Sequence, residues 1–199
     1  MSSQGQPKLN DMYRDRAEYI PSMKESVENI FTNPDDDQPA HTIYGPAYFE
    51  SYDALGDYPF IHGLNFNMSL EQETNAAMEA CRTISSNNLH LYELGNEINM
   101  DPSRYRPKNY SVDDYIREWN HKTTSLQEAY AKACPGSFPG FMAPSFILSN
   151  FPDDKILNWR IEGIYKNGYD RDNLTREISV HQWVASPFQS IAFYETILI

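Results

Sequence analysis

The chain has 199 residues, 40% of them hydrophobic, with 27 aromatic side chains (10 Phe, 3 Trp, 14 Tyr). That is too apolar for a disordered polymer and enough for one substantial core. Sixteen Lys and Arg against 28 Asp and Glu leave a formal charge of −12 at pH 7, which opposes attraction to phosphate backbones and anionic lipid, so nucleic-acid and membrane partners are not expected. No apolar run approaches the ~20 residues that span a bilayer, and the first thirty residues lack the apolar centre of a secretory leader.

Residues 1–57 show no sustained periodicity. The run Asn33-Pro34-Asp35-Asp36-Asp37-Gln38-Pro39 combines turn formers with like charges, so this portion is expected to be an irregular N-terminal segment with one short helix near Met23 to Ile30. From Tyr58 the pattern changes: Tyr58 to Phe66 is a short apolar run bounded by turn residues, which predicts a buried strand. Ser69-Leu70-Glu71-Gln72 is a capping box, and Leu70, Thr74, Ala77, Met78, Cys81 and Ile84 recur at helical spacing behind it. A second strand follows at Leu89 to Leu94 and ends at Gly95-Asn96-Glu97. Ser111, with Asp113 and Asp114 in the next turn, caps a long helix whose Val112, Tyr115, Ile116, Trp119, Leu126, Tyr130 and Ala133 form one face. Cys134-Pro135-Gly136 ends it. Phe138 to Ile147 reads as a third strand, Asp153 or Asp154 caps a helix through Tyr165, and Glu177 to Trp183 reads as a fourth strand.

Strand and helix thus alternate from residue 58 to the end, which predicts right-handed crossovers and a parallel α/β sheet. About four consecutive βα units are half of a (β/α)8 barrel, whose usual length is ~250 residues. The expectation is a partial TIM barrel over 58–199 with two open strand edges, or a small open sheet. No glycine-rich phosphate loop follows the first strand, which argues against a dinucleotide domain. Cys81 and Cys134 form no CxxC pair and are read as buried thiols, with their pairing left open. The five histidines lack metal-site spacing, so no metal is expected. Three sequons, at Asn67, Asn109 and Asn173, accept glycan only in a secreted chain.

Alternation along the second strand puts Glu93, Gly95 and, if the strand continues, Glu97 on one face, with Glu97 at the carboxyl end where barrel enzymes place reacting groups. A carboxyl group against apolar walls can hold a proton near neutral pH, as a general acid must. The amide of Asn96 can both donate to and accept from a sugar hydroxyl. The bland alternative is a polar residue leaving a strand.

The stretch LHLYELGNEINMDPSRYRPKNYSVDDYIREWN resembles the acid/base region of glycoside hydrolase family 79, the fungal β-glucuronidase and heparanase-like group. Upstream, GPAYFESYDALGDYPFIHGLNFN resembles that family's third strand, and ISVHQW resembles its sixth, with its histidine; DMYRDRAEYIP resembles the segment after the second. The resemblance covers roughly residues 40 to 185. It implies hydrolysis of terminal β-glucuronosides with retention, no metal or organic cofactor, and an extracellular location despite the missing leader. By position it implies Glu97 as proton donor, Asn96 as a ligand of the sugar near its 2-hydroxyl, and His181 as a pocket residue. Asn65, at the end of the first strand, is a candidate for the same pocket, with a structural role equally open. Two departures are Ile98 where many relatives have proline, and Trp183 in place of another aromatic. The family's nucleophile comes from a seventh strand without counterpart here, and Glu195 lacks a nucleophile's surroundings. The chain is therefore expected to be a truncated glycosidase, inactive alone. The alternatives are a non-catalytic carbohydrate-binding or interaction protein of the same origin, and an unrelated open α/β domain. The natural glucuronide and the oligomeric state are not legible.

Overall fold

In the computed structural model the described backbone comprises residues 17–31, 41–84, 88–99, 106–148, 159–185 and 190–198, with side chains outside the description for Asp53, Leu148, 182–185 and 190–198. The predicted loop at Asn33–Pro39 and the predicted cap at Asp153 or Asp154 lie outside these residues.

The described part of the N-terminal segment contains three short strands, which corrects the sequence reading of an irregular segment there. Strands β1 (Ala17–Tyr19), β2 (Val27–Ile30) and β3 (His41–Tyr44) form a small sheet in the order β1-β3-β2, β1 parallel and β2 antiparallel to β3. Instead of a helix near Met23 to Ile30 there is a turn followed by β2. Strands of three or four residues are too short to show a period, and β1 finds its partner more than twenty residues away, so no local pattern announces them. A 3₁₀ turn at Pro46–Tyr48 and a short helix α1 (Glu50–Ala54) follow. Tyr19, Tyr44, Tyr48, Phe49 and Tyr52 pack edge to face and lead to His62, so this segment joins the main core.

The main sheet begins with β4 (Phe60–Leu64), then β5 (Leu89–Leu94), parallel and in register from Ile61↔Leu91 to Leu64↔Leu94. The predicted third strand is split into β6 (Phe141–Met142) and β7 (Phe146–Leu148), both parallel to β8 (Thr175–Ala185). Ser145, at φ 55, and the cis Ala143–Pro144 bond lie at the break. β9 (Ser190–Leu198) then returns antiparallel along β8 from Ala185↔Ser190 to Glu177↔Leu198. The sheet is thus parallel with one antiparallel strand added, and the β8 edge expected to be open is paired. Among the described residues β4 pairs only with β5.

Crossover helix α2 (Leu70–Thr83) joins β4 to β5, and α3 (Val112–Ala133) lies between β5 and β6. Both begin at the predicted serines with reciprocal capping boxes, Ser69 with Gln72 and Ser111 with Asp114, each worth about 1 kcal/mol. Helix α4 (Ile161–Lys166) precedes β8. Tyr115, Ile116, Trp119, Leu126 and Tyr130 are buried, as the spacing predicts. Helices joining parallel strands run parallel to one another, so α2 and α3 bring their C-terminal ends together. There Cys81 and Cys134, with Cα atoms 6.0 Å apart, are joined in a disulfide, which corrects the reading of buried free thiols. Spacing alone could not show it, because 53 residues separate the two.

One buried charge interrupts the apolar face of α3. Lys122, 6% exposed, donates from Nζ to the carbonyls of Phe66 (2.7 Å) and Met68 (2.8 Å) and to Glu73 Oε1 (3.0 Å). Arg106 forks onto Glu118 at 2.9 and 2.6 Å and also donates to Phe66 O and Asn67 Oδ1. The two cations cover the Phe66 ring at 4.7 and 4.8 Å. Burial pushes the Glu118 carboxyl up, but hydrogen bonds from Arg106 and Tyr110 and the charges of Arg106 and Lys122 outweigh it and hold it below its ordinary value. Burial prevails at Glu73, whose carboxyl is pushed up to about 7 despite Lys122.

This has a measurable consequence. A carboxyl with a higher pKa when folded favours folding while protonated: the contribution is full below the unfolded value of 4.5 and is lost as pH rises through about 7. The loss is on the order of 3 kcal/mol. Urea unfolding at pH 4.5 and pH 8 should show this difference in the native chain and a much smaller one in Glu73→Gln. Equal slopes in both would place the titration elsewhere.

Candidate active site

β5 ends at Leu94, and the chain then turns sharply. Gly95 takes φ 85 and donates its N–H to Leu64 O at 3.0 Å. A Cβ on Gly95 would meet Phe66 Cβ at 3.0 Å, so both the positive φ and the close approach select glycine. Strand alternation therefore does not reach Glu97, which corrects the sequence reading of a shared face. A turn rather than a pleat aims this side chain.

Glu97 itself adopts φ 47, an uncommon conformation for a residue with a side chain. Its N–H donates to Ser145 O at 2.9 Å, across from the break between β6 and β7. Two residues on, the Asn99 side chain is a double clamp: Nδ2 donates to Ile147 O at 2.9 Å and Oδ1 accepts from Ile147 N at 2.9 Å. The turn is thus fastened to the next strand by three bonds. Local strain of roughly 1–3 kcal/mol at a residue like Glu97 persists only where the surroundings over-determine it, and these bonds supply that constraint.

The clamp brings Glu97 to His181 on β8, 84 positions away in sequence. Glu97 Oε1 lies 3.0 Å from His181 Nδ1, with side-chain exposures of 5% and 3%. The contact fixes one carboxyl oxygen of Glu97 and the plane of the imidazole. His181 is placed by β8 pairing, opposite Ile147 of β7. Asn96 is 2% exposed, and its Oδ1 is buried without a hydrogen-bond partner among the described residues. A buried amide oxygen left so is costly unless a donor reaches it. Glu93 is buried on β5.

All four sequence candidates, Asn65, Asn96, Glu97 and His181, are buried polar residues, and Glu97 and His181 are in contact. Asn65 is engaged otherwise. Its Nδ2 donates to Ala17 O at 2.8 Å and its Oδ1 accepts from Asn67 N at 3.0 Å, which ties β1 to the end of β4. It borders a cavity of about 350 Å³ lined also by Thr42, Tyr44, Tyr48, Tyr52 and His62. Glu195 occupies the register position opposite Val180, while Tyr194 stands opposite His181. The side chains of Trp183 and Glu195 lie outside the described residues. Asn99, Ser145 and Lys122 are missed by sequence reasoning: an asparagine two residues past a strand, a serine in a broken strand and a lysine on a helix carry no signal of their partners. Among the described residues no group of His, Cys, Asp and Glu is arranged to hold a metal ion, and no helix is long and apolar enough to cross a membrane.

Asn99→Ala should cost about 2–3 kcal/mol, because the buried N–H and C=O of Ile147 both lose their partner. Denaturant titration reads the loss, and hydrogen exchange should quicken at Ile147 and Glu97 first. Unchanged protection at both amides would mean that the clamp holds nothing.

The α/β sheet thus carries a buried acid and amide just past the carboxyl end of β5 and a buried imidazole on β8. Comparison with known proteins gives it relatives. The chain is 26% identical to a β-glucuronidase of Aspergillus niger over 186 residues, 88% of this chain and 33% of the relative. It is 26% identical to a β-glucuronidase of Neurospora crassa over 125 residues, 55% of this chain and 22% of that one. A solved structure, the 4-O-α-L-rhamnosyl-β-D-glucuronidase of Fusarium oxysporum 12S, superposes with a TM-score of 0.64 at 21% identity, over 86% of this chain and 35% of the other. No family model matches the chain. The chain is thus similar to fungal β-glucuronidases, as its sequence implies, and spans about a third or less of the length of those it matches.

Proposed function

We propose that this chain carries the acid/base portion of a retaining β-glucuronidase site of the glycoside hydrolase family 79 type, built on part of a (β/α)8 barrel. Glu97 protonates the leaving-group oxygen of a terminal β-glucuronoside and then activates water; Asn96 binds the sugar through its buried amide, and His181 orients the Glu97 carboxyl. The observation that carries this reading is the buried 3.0 Å contact between Glu97 and His181, made between the end of β5 and β8 in a chain whose relatives are named β-glucuronidases. Retaining hydrolysis also needs a second carboxylate ~5–5.5 Å from the first, and no described residue is assigned to it.

A second reading, a carbohydrate-binding protein without turnover, is favoured by β9. It runs antiparallel along the edge of β8, where a further βα unit would add its parallel strand and, with it, a nucleophile.

Aryl β-D-glucuronides test both. Glu97→Gln should lower kcat/KM by roughly 10²–10⁴-fold for poor leaving groups and far less for dinitrophenolate, which leaves without a proton. Equal loss on both substrates would remove Glu97 from the role. A native chain without turnover that still shifts its His181 imidazole signals on adding methyl β-D-glucuronide supports the binding reading. Neither turnover nor a shift would sink both.

A further inference from the structure

The Cys81–Cys134 disulfide joins the C-terminal ends of two helices inside the core. Such bonds form and persist in oxidising compartments and are rare where glutathione keeps thiols reduced. A chain that matures in such a compartment in a eukaryotic cell meets the machinery that modifies Asn-X-Ser/Thr sequons. Three sequons are present, Asn67-Met68-Ser69, Asn109-Tyr110-Ser111 and Asn173-Leu174-Thr175, and the fold treats them differently.

Asn109 is exposed in the turn Pro107–Tyr110, which Tyr110 N closes on Pro107 O at 2.8 Å. It borders an open cleft of about 500 Å³ lined by Pro107, Tyr110, Asp114, Arg117 and His121, which leaves room for a sugar against the Tyr110 ring. Asn173 is exposed in the turn after α4, at φ 53, with its N–H on Asp170 O at 2.9 Å, just before β8. Asn67 is the opposite case. Its Nδ2, the atom a glycan would occupy, is buried, its Oδ1 accepts from Arg106, and its backbone N–H is held by Asn65. A sugar on that nitrogen would force open the Arg106–Glu118–Lys122 network around Phe66.

We propose that Asn109 and Asn173 are N-glycan attachment sites of this protein and that the folded protein carries none at Asn67. In the transfer, the amide nitrogen of the asparagine attacks the anomeric carbon of a polyprenyl-diphosphate-linked oligosaccharide. The bond from that carbon to the phosphate oxygen breaks, the carbon–nitrogen bond forms, the lipid diphosphate leaves with the electron pair and one amide proton goes to a base. No change of oxidation state occurs at either reactant. The assignment stands apart from the glucuronidase reading, since it concerns the chain's compartment and surface rather than its pocket.

The test is secretion of the full chain behind a cleavable leader from a eukaryotic host, followed by deglycosylation in heavy-oxygen water and peptide mapping. Asn109 and Asn173 should acquire the heavy-oxygen Asp label and Asn67 should not, in the fraction whose Cys81 and Cys134 resist alkylation without reductant. Translation into microsomes reads attachment without requiring secretion: Asn109→Asp and Asn173→Asp should each remove one mobility step. Aspartate also tolerates the left-handed backbone at position 173. Absence of label or mobility steps at Asn109 and Asn173, or label at Asn67 in the disulfide-bonded fraction, would overturn the proposal.

Discussion

Lys122→Met should destabilise the folded chain by about 3–5 kcal/mol at pH 8, and by clearly less at pH 5. Methionine replaces the length of the side chain but neither its charge nor its three donors. In the native protein the ammonium is bound to Phe66 O, Met68 O and Glu73 Oε1. Removing it leaves a buried carboxylate facing apolar walls, the case in which breaking a buried pair costs most. At pH 8 Glu73, whose carboxyl burial has already raised to about 7, is ionised and must then stay as an uncompensated anion or take up a proton. At pH 5 it is neutral beforehand, so the penalty falls to that of the lost hydrogen bonds and of the contact with Glu118, 3.4 Å away. Urea titrations of native and variant chains at the two pH values read the difference directly. A penalty independent of pH would show that the lysine acts through packing and not through its charge. The effect should reach the candidate site, because the same lysine and Arg106 hold Phe66, whose Cβ stands where a side chain on Gly95 would have to go, beside the turn into Glu97.

Reduction of the Cys81–Cys134 bond should lower stability by about 4 kcal/mol and the melting temperature by about 10 °C, from the loop closed over 53 positions. Reduction removes no side-chain atoms, so it isolates the cross-link from the cavity that a Cys81→Ala change would leave in a site only 4% exposed. Thermal melts with and without dithiothreitol check it, with the Cys81→Ala/Cys134→Ala double variant expected to be insensitive to the reagent. Identical melting with and without reductant in the native chain would mean that the bond constrains nothing in the unfolded chain.

Helices α2 and α3 were legible because their signals are local. Ser69 and Ser111 announce α2 and α3 through capping boxes, and the recurrent apolar positions from Tyr115 to Tyr130 identify the buried face. β4 and β5 were legible as short apolar runs between turn residues. β1 to β3 were not, since each is too short for a period and pairs across a gap in sequence. The antiparallel β9 was missed because strand direction is decided by the return of the chain and not by composition.

What the amino-acid order established by itself was chemical identity: an acidic chain with an apolar core, alternating strands and helices, a Gly-Asn-Glu motif and a histidine strand that resemble those of fungal β-glucuronidases. What only the tertiary structure decided was juxtaposition. It set Glu97 against His181, gave the Asn99 amide to Ile147, spent Asn65 on Ala17, and joined Cys81 to Cys134. The physical reason is that periodicity and capping act over one or two turns of chain. A hydrogen bond between residues 84 positions apart exists only after the sheet has fixed its register.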